Sequence, residues 1–246
     1  MNSISANLNL MIKACDKASK ILIRDFGEIE NLQVSKKGPT DFVTNSDLRA
    51  EKIIIEELKK SRPNYSIISE ENGIENNKDS KNTWIIDPID GTTNFLHGIP
   101  HFAISIALKS NNEIVSGIIF DPIKNEMFYA EKNNGAFYNN QRIRVSKKTR
   151  INECLFATSG IINNELDLQF RKSGSAALDM AYVASGRYDG YFQKKLCLWD
   201  IAAGIIIVKE AGGVINHINL SEYKELKVIA SSNNISAKFN EKLVNF

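Results

Sequence analysis

Trp84-Ile85-Ile86-Asp87-Pro88-Ile89-Asp90-Gly91-Thr92-Thr93-Asn94-Phe95 is the stretch around which the chain is organised. It opens as a short apolar run, Trp84 to Ile86, the length of a buried strand. Two carboxylates follow, Asp87 and Asp90, with Pro88 between them. Proline fixes its own φ and biases the preceding residue towards extended backbone, so the strand is expected to end here with both acids at its tip. Gly91 permits a sharp turn, and Thr92 and Thr93 suit a helix N-cap. A strand end, an acidic turn and a helix start together can hold a hard cation on carboxylates and a phosphate on free backbone N–H groups. Taken alone, the same residues also make an ordinary solvated turn.

The 246 residues suffice for one large domain or two modest ones sharing a core. With 43% hydrophobic and 24% charged residues, the composition is that of a soluble globular protein. A formal net charge of +2 gives no argument for nucleic acid or an anionic membrane. Cys15, Cys154 and Cys197 are dispersed, with no C-x-x-C, which speaks against disulfides and zinc and for a reducing, cytoplasmic location. Lys13, Asp16, Lys17 and Lys20 interrupt the N-terminal apolar pattern, so no secretory signal is expected. No apolar run approaches the ~18 residues of a membrane helix.

Outward from the central stretch, residues 3–26 read as an amphipathic helix, with Ile4, Leu8, Met11, Ile12, Cys15, Ala18, Leu22 and Phe26 at helical spacing. Gly38-Pro39 marks a loop, and a helix is expected from Thr44 to about Lys60. Thr44 and Asp47 have capping-box spacing, so Asp47 can cap, reach a site, or both. Tyr65–Ser69 reads as a strand ending at Glu70 and Glu71; adjacent acids there face opposite ways. Residues 72–83 are polar and read as a loop. Runs at 101–108, 113–120, 126–130 and 135–138 read as an antiparallel meander. His97 and His101 are four apart, but Gly98 and Pro100 forbid the helix that a histidine metal pair would need.

The second half reads as a strand at 155–158, a helix from Gly174-Ser175-Ala176-Ala177 to about Ser185, a strand at 189–193, a helix at 201–210 led by Leu198-Trp199-Asp200, and strands at 214–218 and 227–230 before a terminal helix. Asp200 is expected at or before that helix's first turn, as an N-cap. Two halves, 1–145 and 146–246, are expected to share one cleft. Glu70 and Asp87 follow strands, Asp47 and Asp200 sit at helix starts, and Asp90 lies three residues beyond Asp87. Acids at element ends can converge at one sheet edge. So many carboxylates cannot share a cleft ionised without cations, and all-oxygen ligation selects Mg²⁺, Mn²⁺ or Ca²⁺. Neither G-x-x-x-x-G-K-S/T nor G-x-G-x-x-G is present, so hydrolysis by water fits better than nucleotide-driven transfer.

These residues carry a resemblance. Trp84–Phe95, together with Trp199-Asp200-Ile201-Ala202-Ala203-Gly204 and Glu210-Ala211-Gly212-Gly213, resembles the two signatures of the inositol monophosphatase family, in the lithium-sensitive, Mg²⁺-dependent phosphatase superfamily. Asp41–Asp47, Ser69-Glu70-Glu71 and Gly174–Ala177 match as well, so the similarity spans nearly the whole chain. The resemblance implies a layered αβαβα sandwich, usually a homodimer, and a small phosphomonoester substrate. It implies one Mg²⁺ on Glu70, Asp87 and the Ile89 carbonyl, a second among Asp87, Asp90 and Asp200, and a third, weaker one near Glu70. Gly91 and Thr92 would offer N–H groups to the phosphate. Thr92, supported by Asp47, and Glu70 would orient the attacking water. Substrate contacts would come from Asp90, Gly174, Ser175 and the position of Gln193.

Two departures stand out. The family commonly has a glutamate where this chain has Gln193, and the segment between Thr158 and Arg171 is short where relatives carry an extra helix. Inositol monophosphate or a similar polyol phosphate is the leading substrate. A 3′-phosphoadenosine nucleotide, fructose 1,6-bisphosphate or histidinol phosphate is the alternative within the superfamily. A regulatory role with the transcription machinery is the alternative outside catalysis; Lys36, Lys37, Lys147, Lys148 and Arg150 would supply its basic surface.

Overall fold

A computed structural model describes residues 4–28, 34–36, 42–160 and 168–243. The chain opens with helix α1 (Ala6–Gly27), capped by Ser5, whose Oγ accepts the Leu8 N–H at 3.1 Å. Leu8, Met11, Ala14, Cys15, Ala18 and Leu22 line its buried face, as the periodicity predicts. Ile4 precedes the cap and is exposed, contrary to expectation. A short antiparallel pair, β1 (Val34–Lys36) and β2 (Phe42–Thr44), leads into α2 (Asn45–Ser61). The Gly38-Pro39 loop, the Thr44 side chain and residues 161–167 lie outside what is described.

The larger sheet comprises β3 (Tyr65–Ser69), β4 (Gly73–Glu75), β5 (Asp79–Asp90), β6 (Ala103–Ser110), β7 (Glu113–Asp121), β8 (Glu126–Glu131), β9 (Gly135–Tyr138) and β10 (Gln141–Arg142). The spatial order is β10-β9-β8-β7-β6-β5-β3-β4. From β5 to β10 it is the predicted antiparallel meander; only β3 runs parallel to β5. Asn111 and Asn112, both at positive φ, make the two-residue hairpin between β6 and β7. The 72–83 loop is a correction. It contains edge strand β4 and the start of β5, because pairing with β3 and β6 satisfies backbone that its polar side chains leave unmarked. After β5 comes α3 (Thr92–Leu96).

A 3-10 turn at Ile151–Glu153 precedes the smaller sheet. It contains β11 (Leu155–Ala157), β12 (Gln169–Arg171), β13 (Gly190–Leu196), β14 (Gly213–Ile215) and β15 (Leu226–Ser232), ordered β12-β11-β13-β15-β14. Helices α4 (Ala176–Ala184) and α5 (Leu198–Glu210) lie between the sheets, and α6 (Ser236–Lys242) closes the chain. The period-2 alternation of β5 shows the layering. Trp84 and Ile86 pack with Met11, Leu22, Ile54 and Leu58 of α1 and α2. Ile85 faces the other way, into a core shared with Leu178 of α4, Ala203 of α5 and Val228 of β15. Phe239 of α6 packs with Phe156 and Phe192 on the far side of the smaller sheet. The layers therefore run α1α2, sheet, α4α5, sheet, α6: the αβαβα sandwich implied by the signatures. Among the described residues no helix is long and apolar enough to cross a membrane.

The middle layer is tight because its contact residues are small. A Cβ on Gly117 of β7 would stand 2.9 Å from the Ala203 backbone, and one on Gly204 would stand 2.7 Å from the Met180 Cβ of α4. Helix α5 is thus wedged by backbone contact on one side and by α4 on the other, which sets where its N-terminus arrives. Gly117→Ala is expected to lower unfolding free energy by about 1–3 kcal/mol, since neither backbone can yield without shifting a layer. Urea denaturation checks this, and an unchanged midpoint would contradict the close packing.

Candidate active site

Strand β5 does not stop at Pro88. It continues to Asp90, with a register irregularity against β6: Asp87 pairs with Ser105 and Asp90 with Ala103. Three steps along β5 oppose two along β6, which is a β-bulge. Proline cannot donate to the ladder, so an irregularity suits Pro88 better than regular pairing. The consequence is directional. Residues three apart on a regular strand face opposite ways; the extra residue restores the phase, so both acids face α4 and α5. Asp87 is 1% exposed and Asp90 7%. Asp87 Oδ1 accepts the Ile89 N–H at 3.0 Å.

Three further acids arrive from different elements. Asp200 sits in the first turn of α5. That placement is the expected one; the N-cap itself is Cys197, and Asp200 accepts the Cys197 N–H at 2.7 Å as the returning half of a capping box. Glu70 follows β3, its N–H donating to the Ile86 carbonyl at 3.2 Å. Asp47 is buried in the first turn of α2. Burial pushes the Asp87 carboxyl well above its ordinary range, and the charges of Glu70, Asp90, Asp200 and Asp47 push it further. Asp200 is raised by burial, Asp90 and Glu70. The five predicted acids therefore share one electrostatic neighbourhood.

Among the described residues, no three acid, histidine or cysteine side chains stand in ready-made metal-ligating geometry. One oxygen each of Asp87 and Asp200 is held by backbone. The fit to a divalent cation rests instead on the donor set: all oxygen, largely buried and mutually repelling, a combination that a hard cation relieves.

Asp90 has a second attachment. Ser175 is the N-cap of α4, and its Oγ donates a hydrogen bond to Asp90 Oδ2; the Ala177 and Ala176 N–H groups donate to the same carboxylate at 2.8 and 3.2 Å. Burial nevertheless raises the Asp90 carboxyl to about 6 against the pull of these donors. Ser175, expected to touch substrate, is thus engaged by Asp90. Gly174, at φ 87°, lies against Asn94: a Cβ there would meet the Asn94 amide at 2.9 Å. Asn94 Nδ2 donates to the carbonyls of His101 at 2.7 Å and Ser173 at 2.8 Å, joining the two halves of the chain.

The Thr92 and Thr93 cap is corrected as well. Gly91 is the N-cap of α3, at φ 103°, and a Cβ there would stand 3.1 Å from the His101 carbonyl, so both conformation and space require glycine. Thr92 Oγ1 donates to the Ile89 carbonyl at 2.9 Å. That oxygen has a second lone pair. Gln193 lies on β13 just before a bulge, and its Oε1 accepts both the Tyr191 hydroxyl at 2.9 Å and the Ser159 N–H at 3.1 Å. Two donors on Oε1 fix the amide orientation and leave Nε2 as its donor end.

A family model for the inositol monophosphatase family matches residues 5–245. The chain belongs to the inositol monophosphatase family. Among curated relatives it is 47% identical to an inositol-1-monophosphatase of Rhizobium meliloti, over 85% of this chain and 84% of that protein. It is 42% identical to a Nus factor SuhB of Pasteurella multocida, over 86% and 85%. Among solved structures it is similar to the extragenic suppressor protein suhB of Bartonella henselae, with TM-score 0.92, 44% identity and coverage of 98% and 99%. The stretches that carry the resemblance lie on β5 and α5 and, for Gly174–Ala177, at the start of α4.

Three buried polar residues of these segments are not singled out in the sequence reading. Asn94 lies inside the first signature, but its partners are remote. Glu51 shares a four-three-four spacing with Asp47, Ile54 and Leu58, a signal that α2 buries an acid on its apolar face. Asp179 sits in the apolar helix α4, its Oδ1 accepting from Ser173 Oγ at 2.7 Å and its buried Oδ2 making no hydrogen bond. Burial, with Asp90's charge, pushes Asp179 up to about 8.

A carboxyl raised on folding binds its proton more tightly in the native state. Its contribution to stability is full below the unfolded value of 3.8 and is lost as pH rises through about 8. Asp179→Asn, neutral at every pH, is expected to reduce the fall in stability between pH 5 and 8. Urea titrations of the metal-free protein across that range check it. Asp87, Asp90 and Asp200 act in the same direction, so the slope is reduced rather than abolished.

Proposed function

We propose that the chain is a Mg²⁺-dependent phosphomonoesterase that hydrolyses inositol monophosphate or a similar polyol phosphate. The observation that carries this reading is the convergence of Glu70, Asp87, Asp90, Asp200 and Asp47, each raising or sharing the field on Asp87. Glu70, Asp87 and the Ile89 carbonyl would hold one Mg²⁺; Asp87, Asp90 and Asp200 a second; a third would lie near Glu70. Bound Mg²⁺ supplies Lewis-acid charge neutralisation at the phosphate and makes water more acidic. The remaining work falls to the chain. The Gly91 and Thr92 N–H groups hold phosphate oxygens, and the Thr92 hydroxyl with Glu70 orients water in line with the leaving oxygen. Water adds to phosphorus, the ester P–O bond breaks, and the alcohol leaves with a proton, giving inorganic phosphate. The halves 1–145 and 146–246 close on one cleft, held by Asp90 and Asn94 on the start of α4.

A homodimer, lithium inhibition and a cytoplasmic location accompany this reading. Gln193 bears on the substrate. With Oε1 committed to Tyr191 and Ser159, its free end donates where a glutamate would accept. The alternative substrates, a 3′-phosphoadenosine nucleotide, fructose 1,6-bisphosphate and histidinol phosphate, therefore belong in the same assay.

Purified protein with Mg²⁺ is expected to release phosphate from inositol 1-phosphate, and Asp87→Asn to lower kcat by about 10³-fold or more, the equivalent of several kcal/mol of charge stabilisation. No release from any compound of the panel would overturn the reading. A second reading follows from the relatives named Nus factor SuhB: regulation through the transcription machinery. Cellular function retained by Asp87→Asn, with capture of transcription proteins by that variant, would favour it.

A further inference from the structure

We infer that Glu51 is a positioning residue: α2 sets the cation-facing acid Glu70 through a buried carboxylate clamp. Glu51 is 0% exposed. Its Oε1 accepts from Ser69 Oγ at 2.9 Å, the Asn72 N–H at 2.9 Å and Asn72 Nδ2 at 2.6 Å; its Oε2 accepts the Glu71 N–H at 2.9 Å. All four donors belong to the corner that carries Glu70. The Glu70 N–H itself is held by the Ile86 carbonyl of β5, next to Asp87. The corner is thus bracketed, with Ser69, Glu71 and Asn72 fixed to α2 and Glu70 fixed to β5.

The type of residue matters. A buried charge is costly unless its lone pairs are filled, and here four donors fill them. No apolar side chain could gather those N–H groups, and a glutamine would turn an N–H towards at least one of them. Glu51 lies one helical turn after Asp47. One helix therefore delivers one acid of the site directly and orients another at a distance. Glu70 and Glu71 are neighbours in the turn that follows β3, so a slack corner would lose the choice between them. Groups that orient a metal ligand change cation affinity by about 10–100-fold when removed.

The inference rests on the phosphatase reading only in assigning Glu70 to the cation, and the test separates the two. In the metal-free protein, Glu51→Gln is expected to speed amide exchange at Glu71 and Asn72 relative to the rest of β3 and α2. By calorimetry, the same variant is expected to weaken Mg²⁺ binding about tenfold, with kcat reached only at correspondingly higher Mg²⁺ and KM at saturating Mg²⁺ within about twofold. Ile54→Val, which loosens the same helix through packing alone, should leave Mg²⁺ affinity unchanged. Ser69→Ala removes a single donor and should give a smaller shift in the same direction if Glu51→Gln does not fold. Unaltered Mg²⁺ affinity in Glu51→Gln and Ser69→Ala, beside normal binding in the parent, would overturn the positioning role and leave the phosphatase reading standing. A parent that neither binds Mg²⁺ nor releases phosphate would overturn both the phosphatase reading and the assignment of Glu70, while the exchange data still decide whether the clamp holds.

Discussion

The bulge in β5 is the constraint on which the site depends. Asp87 and Asp90 are an odd number of residues apart, and regular pleating would send one of them to the α1–α2 side of the sheet. The additional residue opposite β6 puts both on the α4–α5 side. There Asp87 meets the field of Asp200, and Asp90 reaches the N-terminus of α4. Pro88 suits this place because it has no N–H to lose. Gly91 then turns the chain at φ 103° before it can collide with His101 and Phe102.

The layers around the bulge serve to bring distant acids to it. Helix α5 carries Asp200, and its position is set by backbone-close contacts at Gly117 and Gly204. Helix α4 presents Ser175 and two N–H groups to Asp90, and Asn94 fastens the preceding loop. Helix α2 brings Asp47 and, through Glu51, the corner of Glu70. Five acids of like charge at a largely buried point oppose folding: burial raises the carboxyls of Asp87, Asp90 and Asp200, and the neighbouring acids raise Asp87 and Asp200 further. The tight middle layer, close at Gly117 and Gly204, is what fixes where α5 brings its acid.

Much of this is legible along the chain. The stripe Leu8–Leu22, the alternation Trp84-Ile85-Ile86 and the Asn111-Asn112 turn each announce their element, because helix, strand and hairpin have local periods and local turn chemistry. The acid set is legible too, since Asp87 and Asp90 share a turn-like stretch and Asp47 and Asp200 open helices. Less legible were elements stabilised by pairing alone. Edge strand β4 and the polar start of β5 carry no apolar pattern, and their backbone bonds go to β3 and β6. Cap assignments slipped by one to three residues at Thr92 and Asp200: Gly91 caps α3 through its backbone turn with no side-chain acceptor, and at α5 Asp200 accepts the N–H of the N-cap Cys197 from inside the first turn.

By itself, then, the sequence determined most of the elements and the family signatures, which rest on local spacing and residue type, and implied the five-layer class through the resemblance those signatures carry. Only the tertiary structure decided that Asp87 and Asp90 share a face, that Ser175 is bound to Asp90, and that Glu51 holds the corner beside Glu70. The direction of a strand side chain beyond a bulge depends on how many residues its partner strand sets opposite it. The partners of a buried carboxylate are likewise chosen by whichever donors the packing brings within reach, here from segments 18 to 87 residues away.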